Sequence, residues 1–407
     1  MAAPLPLQGI RVINFGWVWA GPVVGQTLAL LGAEVLKIES RARLDMTRTL
    51  PPFAEGIVDP DRSLSNHAGW AGNGSVTLDL RQAEARALAL RLIAESDVVV
   101  ENFGPGVIER MGFGYEALRK VRPDIILFSM PAAGLSGPLE HVRTYGLSLT
   151  SLTGLDSLVG YKGESPIPVE NAFSDPYAGI FGAFAIIVAL NHRRNSGQGQ
   201  HIEFSQQEAV MQMVAPAYMD YVLNGRSGGP MGNEHPTRAA APHGVFPCSG
   251  DDRWIAIAAR GDAQWRALVR AMGDPDWARA PQYDTLAGRL AAIDLVHAKL
   301  AEWTRGHERR ALARTLQEAG VAATPVLDVG DLLDDPHWRA RGTYIEVVHP
   351  LGFRETIYGR YVKMSRCGDA PVQPGPMLGR DNDRAFREIL HLPEDEYRRL
   401  KDSRVIY

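Results

Sequence analysis

The sequence has little of what would mark a specialised class. Only two of its 407 residues are cysteine, Cys248 and Cys367, far apart and outside any C-x-x-C. That excludes a disulfide scaffold or a four-cysteine zinc site and suits a reducing, cytoplasmic compartment. The formal net charge is only −4, with 22% of residues charged, so neither a nucleic-acid nor a membrane partner is expected. Met1 to Leu7 lacks the basic start and apolar core of a signal peptide. The longest apolar run, Ala178 to Leu190, is too short to span a bilayer and reads as a buried helix. No low-complexity tract or internal repeat interrupts the chain.

Familiar catalytic signatures are missing as well. There is no G-x-x-x-x-G-K-[ST] phosphate loop and no H-E-x-x-H. Gly16-Trp17-Val18-Trp19-Ala20-Gly21 occupies a strand-to-helix turn without the dinucleotide-binding glycines, and Gly134-Leu135-Ser136-Gly137-Pro138 has the wrong spacing for a serine elbow. Eleven histidines are scattered without metal-ligand spacing. His235, His243 and His337 therefore read as loop or surface residues, and no metal site is expected.

What is present is alternation. Strands are expected at 10–15, 33–39, 76–80, 98–100 and 125–130, with helices at 23–31, 83–94 and 115–121 between them. Such a pattern predicts an α/β protein with a parallel, doubly wound sheet. Ligands bind such sheets at the carboxyl ends of the strands, which places the Gly16–Pro22 loop and the Glu101–Gly106 turn on the functional edge. A further helix is expected over 176–195, then a strand at 201–204 and a helix over 206–223. Asn224 to Gly244 is dense in Gly, Pro and Asn and marks a long loop or a domain junction. Beyond it lie a strand at 254–259, helices near 263–272, 287–303 and 309–319, and strand-like pieces at 343–348 and 360–364. The implied division is a large domain over 1–224, a small α+β domain over 225–330, and a C-terminal segment, 331–407.

One carboxylate stands apart. Asp175 lies in Ser174-Asp175-Pro176-Tyr177, at the start of a helix rich in Gly, Ala and Ile. Two readings compete. Ser174 or Asp175 would serve as an N-cap, with Pro176 at the first helical position. Alternatively Asp175 is a covalent nucleophile, kept charged by the helix N-terminus, with Gly179 and Gly182 giving a bulky substrate room.

Four segments, in order, together resemble the family III coenzyme A transferases, the group containing formyl-CoA:oxalate transferase and the carnitine and bile-acid CoA transferases. They are Gly9 to Glu39 with its Ala20-Gly21-Pro22 turn, Asp97 to Gly112, the Asp175 helix through Gln200, and Asp335 to Gly342. The resemblance implies a Rossmann-like large domain, and a chain that leaves it for a small domain and returns over 331–407. It implies an interlocked dimer, either a homodimer or a pair with a paralogous chain. By resemblance Asp175 attacks an acyl-CoA thioester and CoA passes to a second carboxylic acid. The CoA thioester is then a substrate, with no permanently bound cofactor. Val18, Trp19, Ala20, Asn102, Phe103 and Arg110 match positions that contact CoA. Where relatives often carry Lys-Arg-Ser this chain has Asn73-Gly74-Ser75, and Arg41 is a candidate to supply the basic contact. Gly146-Leu147 stands where related racemases carry a His-Asp pair. Trp17 and Trp19, with Ser129-Met130-Pro131, look closer to the succinyl-CoA:benzylsuccinate type, which points to succinyl-CoA as donor and a bulkier acid as acceptor. Two alternatives stay open: a same-fold isomerase, or a non-catalytic CoA-binding subunit of a heterodimer.

Overall fold

In the computed structural model, residues 4–169, 172–234 and 237–407 are described. Period-two alternation builds the main sheet. Val12, Val98, Val100, Ile126 and Phe128 point to one face, and Ile13, Phe15, Val99 and Leu127 to the other. Both faces are apolar, so both must be covered, as a parallel sheet requires. Six parallel strands result: β1 (Arg11–Asn14), β2 (Glu34–Glu39), β3 (Gly74–Thr77), β4 (Val98–Glu101), β5 (Ile126–Ser129) and β6 (His201–Glu203). Their order is β3-β2-β1-β4-β5-β6. The direction of building reverses between β1 and β4, where doubly wound sheets open a crevice for ligands.

Helices Ala20–Leu30 and Ser174–Ser196 cover one face. They approach closely because a Cβ on Gly179 would lie 2.8 Å from the Val23 side chain, and one on Gly182 would lie 2.7 Å from the Phe128 ring. These glycines serve helix and sheet packing rather than substrate access, which corrects the expectation from sequence. Helix Ser174–Ser196 is long and apolar enough by composition to cross a membrane. Its buried residues, Ala178, Ala183, Ile186 and Ala189, instead join the core with Val24 and Leu28. The other face is covered by helices Ala83–Ala94 and Tyr115–Val121 together with Phe386, Tyr397 and Leu400 from the end of the chain.

That C-terminal return has a polar cause too. β3 is an edge strand, and an open edge leaves backbone donors unpaired. Ser75 N–H donates to Asp381 Oδ2 and Thr77 N–H to Asn382 Oδ1, both at 2.8 Å. Asn382 Nδ2 in turn donates to the Tyr407 carbonyl at 2.7 Å.

The chain divides into two compact units. One contains residues 1–156, 168–226 and 340–407; the other contains 157–167 and 227–339. The second unit thus takes in a short segment ahead of the Asp175 helix and extends past 330 to Arg339. It is built on an antiparallel sheet, β7 (His243–Pro247), β8 (Trp254–Ala258) and β9 (Ala322–Val326), in the order β7-β8-β9. Trp265, Leu268, Leu300, Leu312 and Leu316 form its core. In the first unit, β10 (Tyr344–Val348) and β11 (Arg354–Tyr358) pair as a hairpin, so the expected strand at 360–364 lies instead at 354–358.

Candidate active site

Segments after all six parallel strands, with Gln206 following β6, wall a cavity of about 1210 Å³ along the carboxyl edge of the sheet. Trp17, Val18 and Ala20 follow β1, Ala42 and Arg43 follow β2, and Asp79 and Arg81 follow β3. Asn102, Phe103 and Arg110 follow β4, while Pro131, Ala132, Glu140 and Arg143 follow β5. Asp175 completes the wall from the start of its helix.

The β1 loop is pinned at each step. Asn14 accepts from Gly16 N–H at 2.7 Å and donates to the Gly21 carbonyl at 3.0 Å. Asn102 accepts from Trp17 N–H at 2.8 Å and donates back to the Trp17 carbonyl at 3.0 Å. Asn102 therefore bolts the β1 loop to the end of β4 as well as lining the cavity. Beside it Glu101 is buried, accepts from Phe103 N–H at 2.7 Å, and is pushed up to about 7 by that burial.

Asp175 differs from both sequence readings in one respect. The helix begins at Ser174 with Phe173 at the N-cap position, so Asp175 lies inside the first turn and makes no capping hydrogen bond. Ser174 Oγ donates to the Gly146 carbonyl at 3.0 Å and ties the helix start to the segment before it. The Asp175 carboxylate has no side-chain partner among the described residues. Burial pushes it up to about 6, so desolvation outweighs the charge-favouring helix end expected from sequence. A partly desolvated, unpartnered carboxylate facing a cavity is a stronger nucleophile than a paired one. Glu170 and Asn171, in the same sequence run, and His235 lie outside the described residues.

Six of the nine residues singled out from sequence meet on this cavity: Val18, Ala20, Asn102, Phe103, Arg110 and Asp175. Trp19, Arg41 and Asn73 do not. Trp19 precedes the helix and packs toward Gly69, leaving Trp17 as the tryptophan on the wall. Arg41 is directed to the Leu378 carbonyl at 3.4 Å. Asn73 is fully buried and donates to the Trp70 and Ala71 carbonyls, because Gly25 lets the helix behind it pack onto its amide.

The residue missed on the β2 loop is Arg43, whose guanidinium lies 4.9 Å from the Trp17 ring centre. Residues two apart share a face in extended backbone, so spacing gave no signal that Arg41 and Arg43 diverge. Arg81 also lines the cavity but is held by Asp79 in two hydrogen bonds of 2.8 Å.

Sequence spacing also gave no hint that His67, His349 and Glu355 bring ligand atoms within 4.8 Å of one another. The two imidazoles are stacked at 4.5 Å, and both His67 nitrogens are already engaged, Nδ1 with Glu355 Oε2 at 2.5 Å and Nε2 with the Asp61 carbonyl at 2.9 Å.

Comparison with known proteins identifies the family. The sequence model for "CoA-transferase family III" matches residues 7–382. The alpha subunit of succinyl-CoA–L-malate CoA-transferase from Chloroflexus aurantiacus is 33% identical over 99% of this chain and 93% of its own length. Succinyl-CoA–D-citramalate CoA-transferase from the same organism is 31% identical over 99% of this chain and 98% of its own length. Succinate–glutarate CoA-transferase from Agrobacterium fabrum is 31% identical, covering 94% and 96%. Among solved structures, a CAIB/BAIF family protein from Brucella suis superposes with a TM-score of 0.86 at 32% identity, over 95% of this chain and all of that one. A match along nearly the whole chain, in sequence and in fold, places this enzyme in CoA-transferase family III.

Proposed function

We propose that the enzyme is an acyl-CoA:carboxylate CoA-transferase with Asp175 as its covalent nucleophile. The observation that carries this reading is the Asp175 carboxylate, desolvated and without a side-chain partner among the described residues, on the wall of the cavity at the sheet's carboxyl edge. A carboxylate oxygen of Asp175 attacks the thioester carbonyl, the carbon–sulfur bond breaks, and the CoA thiolate leaves from an aspartyl-acyl mixed anhydride. The thiolate then attacks the aspartyl carbonyl of that anhydride, releasing the first acid and leaving an aspartyl-CoA thioester. The acceptor carboxylate attacks this thioester and forms a second anhydride, and returning thiolate attacks its acyl carbon. The new acyl-CoA departs and Asp175 is regenerated. One difficult exchange becomes several easier ones, and thioester energy is conserved throughout.

Val18, Ala20, Asn102, Phe103 and Arg110 are the residues we assign to CoA in a Rossmann-like domain, a reading supported by the strand order and by their shared cavity. Arg110 suits a phosphate, since a guanidinium offers paired donors. Succinyl-CoA is the donor we favour, because several relatives are named for succinyl-CoA or succinate. We further read the protein as a cytoplasmic, interlocked dimer. Helix Ala215–Asn224 buries none of its residues, and Tyr221, Val222 and Leu223 are each more than 60% exposed. Phe184 and Val188 leave a second apolar stripe exposed on helix Ser174–Ser196. Apolar surface of this extent is normally covered in an assembly. A pair with a paralogous chain is the second assembly reading, favoured by relatives named as alpha and beta subunits.

The test is to incubate the protein with succinyl-CoA and a panel of carboxylic acids, then trap with hydroxylamine. A hydroxamate at Asp175, absent from Asp175→Asn, is the expected result. Full turnover by Asp175→Asn would overturn the assignment.

A further inference from the structure

Val18 is the strained point of the cavity wall. Its φ is +64°, in the left-handed region, which a β-branched residue rarely enters. The surrounding loop does use glycine where backbones touch: a Cβ on Gly16 would lie 2.7 Å from Gly21 Cα. Yet the position that needs a positive φ carries valine, so something must hold it there.

Asp45 provides that hold. Val18 N–H donates to Asp45 Oδ1 at 3.1 Å, and Thr47 N–H donates to the same oxygen at 3.1 Å. The other carboxylate oxygen accepts from Lys37 Nζ at 2.8 Å. Lys37 also lies 3.3 Å from Glu39, which binds Arg48 through two hydrogen bonds of 2.7 Å and accepts from Ser75 Oγ at 2.6 Å. Asp45, Lys37, Glu39 and Arg48 are all buried. The Asp45 carboxylate is thus fixed by β2 and its following turn before it meets Val18. A partner so fixed imposes a backbone conformation instead of adapting to one.

From this geometry we infer that Asp45 is a positioning residue: it holds Val18 in the left-handed conformation and so sets the wall of the cavity that Asp175 shares. This inference rests on the CoA-transfer reading for its consequence. Asp45 does not line the cavity, so it acts through Val18. Its effect should appear in the geometry of the bound thioester, and hence in kcat/KM, beyond any effect on folding.

A double-mutant cycle with Val18→Gly separates positioning from simple stability, because glycine adopts a positive φ without strain. Asp45→Ala should lower kcat/KM for acyl transfer about ten- to a hundredfold. Val18→Gly alone also removes a side chain assigned to CoA and should lower kcat/KM in its own right; measured against Val18→Gly, the further loss from Asp45→Ala should shrink to about threefold or less. Thermal unfolding of the same four proteins reports the structural contribution, which Val18→Gly should not restore. Should Asp45→Ala fail to fold, Asp45→Asn in the same cycle keeps a carbonyl oxygen for Val18 while removing the charge opposite Lys37. Equal impairment with and without Val18→Gly, in folded protein, would overturn the inference. CoA affinity by calorimetry on all four variants keeps the two claims apart. Wild type that binds CoA but transfers nothing sinks the transferase reading. Wild type that transfers, with strictly additive variants, sinks only the role given to Asp45.

Discussion

Gly146 and Asp175 are in immediate contact: a Cβ added to Gly146 would lie 2.9 Å from Asp175 Oδ2 and 2.3 Å from the Ala172 side chain. The Asp175 carboxylate could turn aside, but Ala172 could not, since its Cα would also lie only 2.7 Å away. The absent side chain is what leaves the carboxylate its place on the wall. Gly146→Ala should therefore displace the start of the Asp175 helix and reduce kcat at least about tenfold. Unaltered kcat in a steady-state assay would show that the segment yields without moving Asp175.

The Asp175 carboxyl, pushed up to about 6, makes activity pH-dependent if its ionised form is the nucleophile. The profile of kcat/KM should rise through about pH 6 and level off above it. Stability runs the other way. The folded state holds this proton more tightly than the unfolded chain, so between the ordinary value of 3.8 and about 6 stability falls as pH rises. Asp175→Asn removes that titration and loses no cap. At pH 7 it should therefore unfold no earlier than wild type, as calorimetry would read.

Arg48 and Glu39 form a buried pair whose charges depend on each other. Burial by itself would raise Glu39, but Lys37 and Arg48 hold it at about 2. Its contribution is thus present above the ordinary carboxylate range and is lost as pH falls toward 2. Arg48→Leu should cost about 3–5 kcal/mol in urea unfolding, because it strands a buried carboxylate. A loss below about 1 kcal/mol would mean that Lys37 alone neutralises the site.

Arginine substitutions separate the cavity from its surroundings. Arg110→Ala should weaken CoA binding by about 1.5–3 kcal/mol if it meets a phosphate. Arg41→Ala, directed at the Leu378 carbonyl, should leave the affinity unchanged. Calorimetry with CoA decides both; the reverse ranking would show that the β2 loop turns over when ligand binds.

Much of the fold is legible in the residues because it depends on local period. Helices 83–94 and 115–121 fall where apolar spacing places them, and the first five strands lie within about three residues of their expected runs. Boundaries governed by contacts distant in sequence are less legible. The second strand of the C-terminal hairpin is set by pairing with Tyr344–Val348, which no local preference encodes. Pro176 suggested a helix starting at itself, yet the helix begins at Ser174, where Ser174 Oγ finds the Gly146 carbonyl.

The same division runs through the site. By itself the sequence determined the strand-and-helix alternation, the loops at the carboxyl edge and the one carboxylate in a setting resembling a known nucleophile. These are carried by residue type and spacing. Tertiary structure alone decided that Trp17 rather than Trp19 faces the cavity, that Asn73 is buried under a helix, and that Arg43 rather than Arg41 joins the wall. It alone decided that Asp175 has no side-chain partner among the described residues and that Asp45 reaches Val18. Side-chain direction, burial and charge pairing arise between segments that meet only when the chain is packed, so spacing along the chain does not specify them.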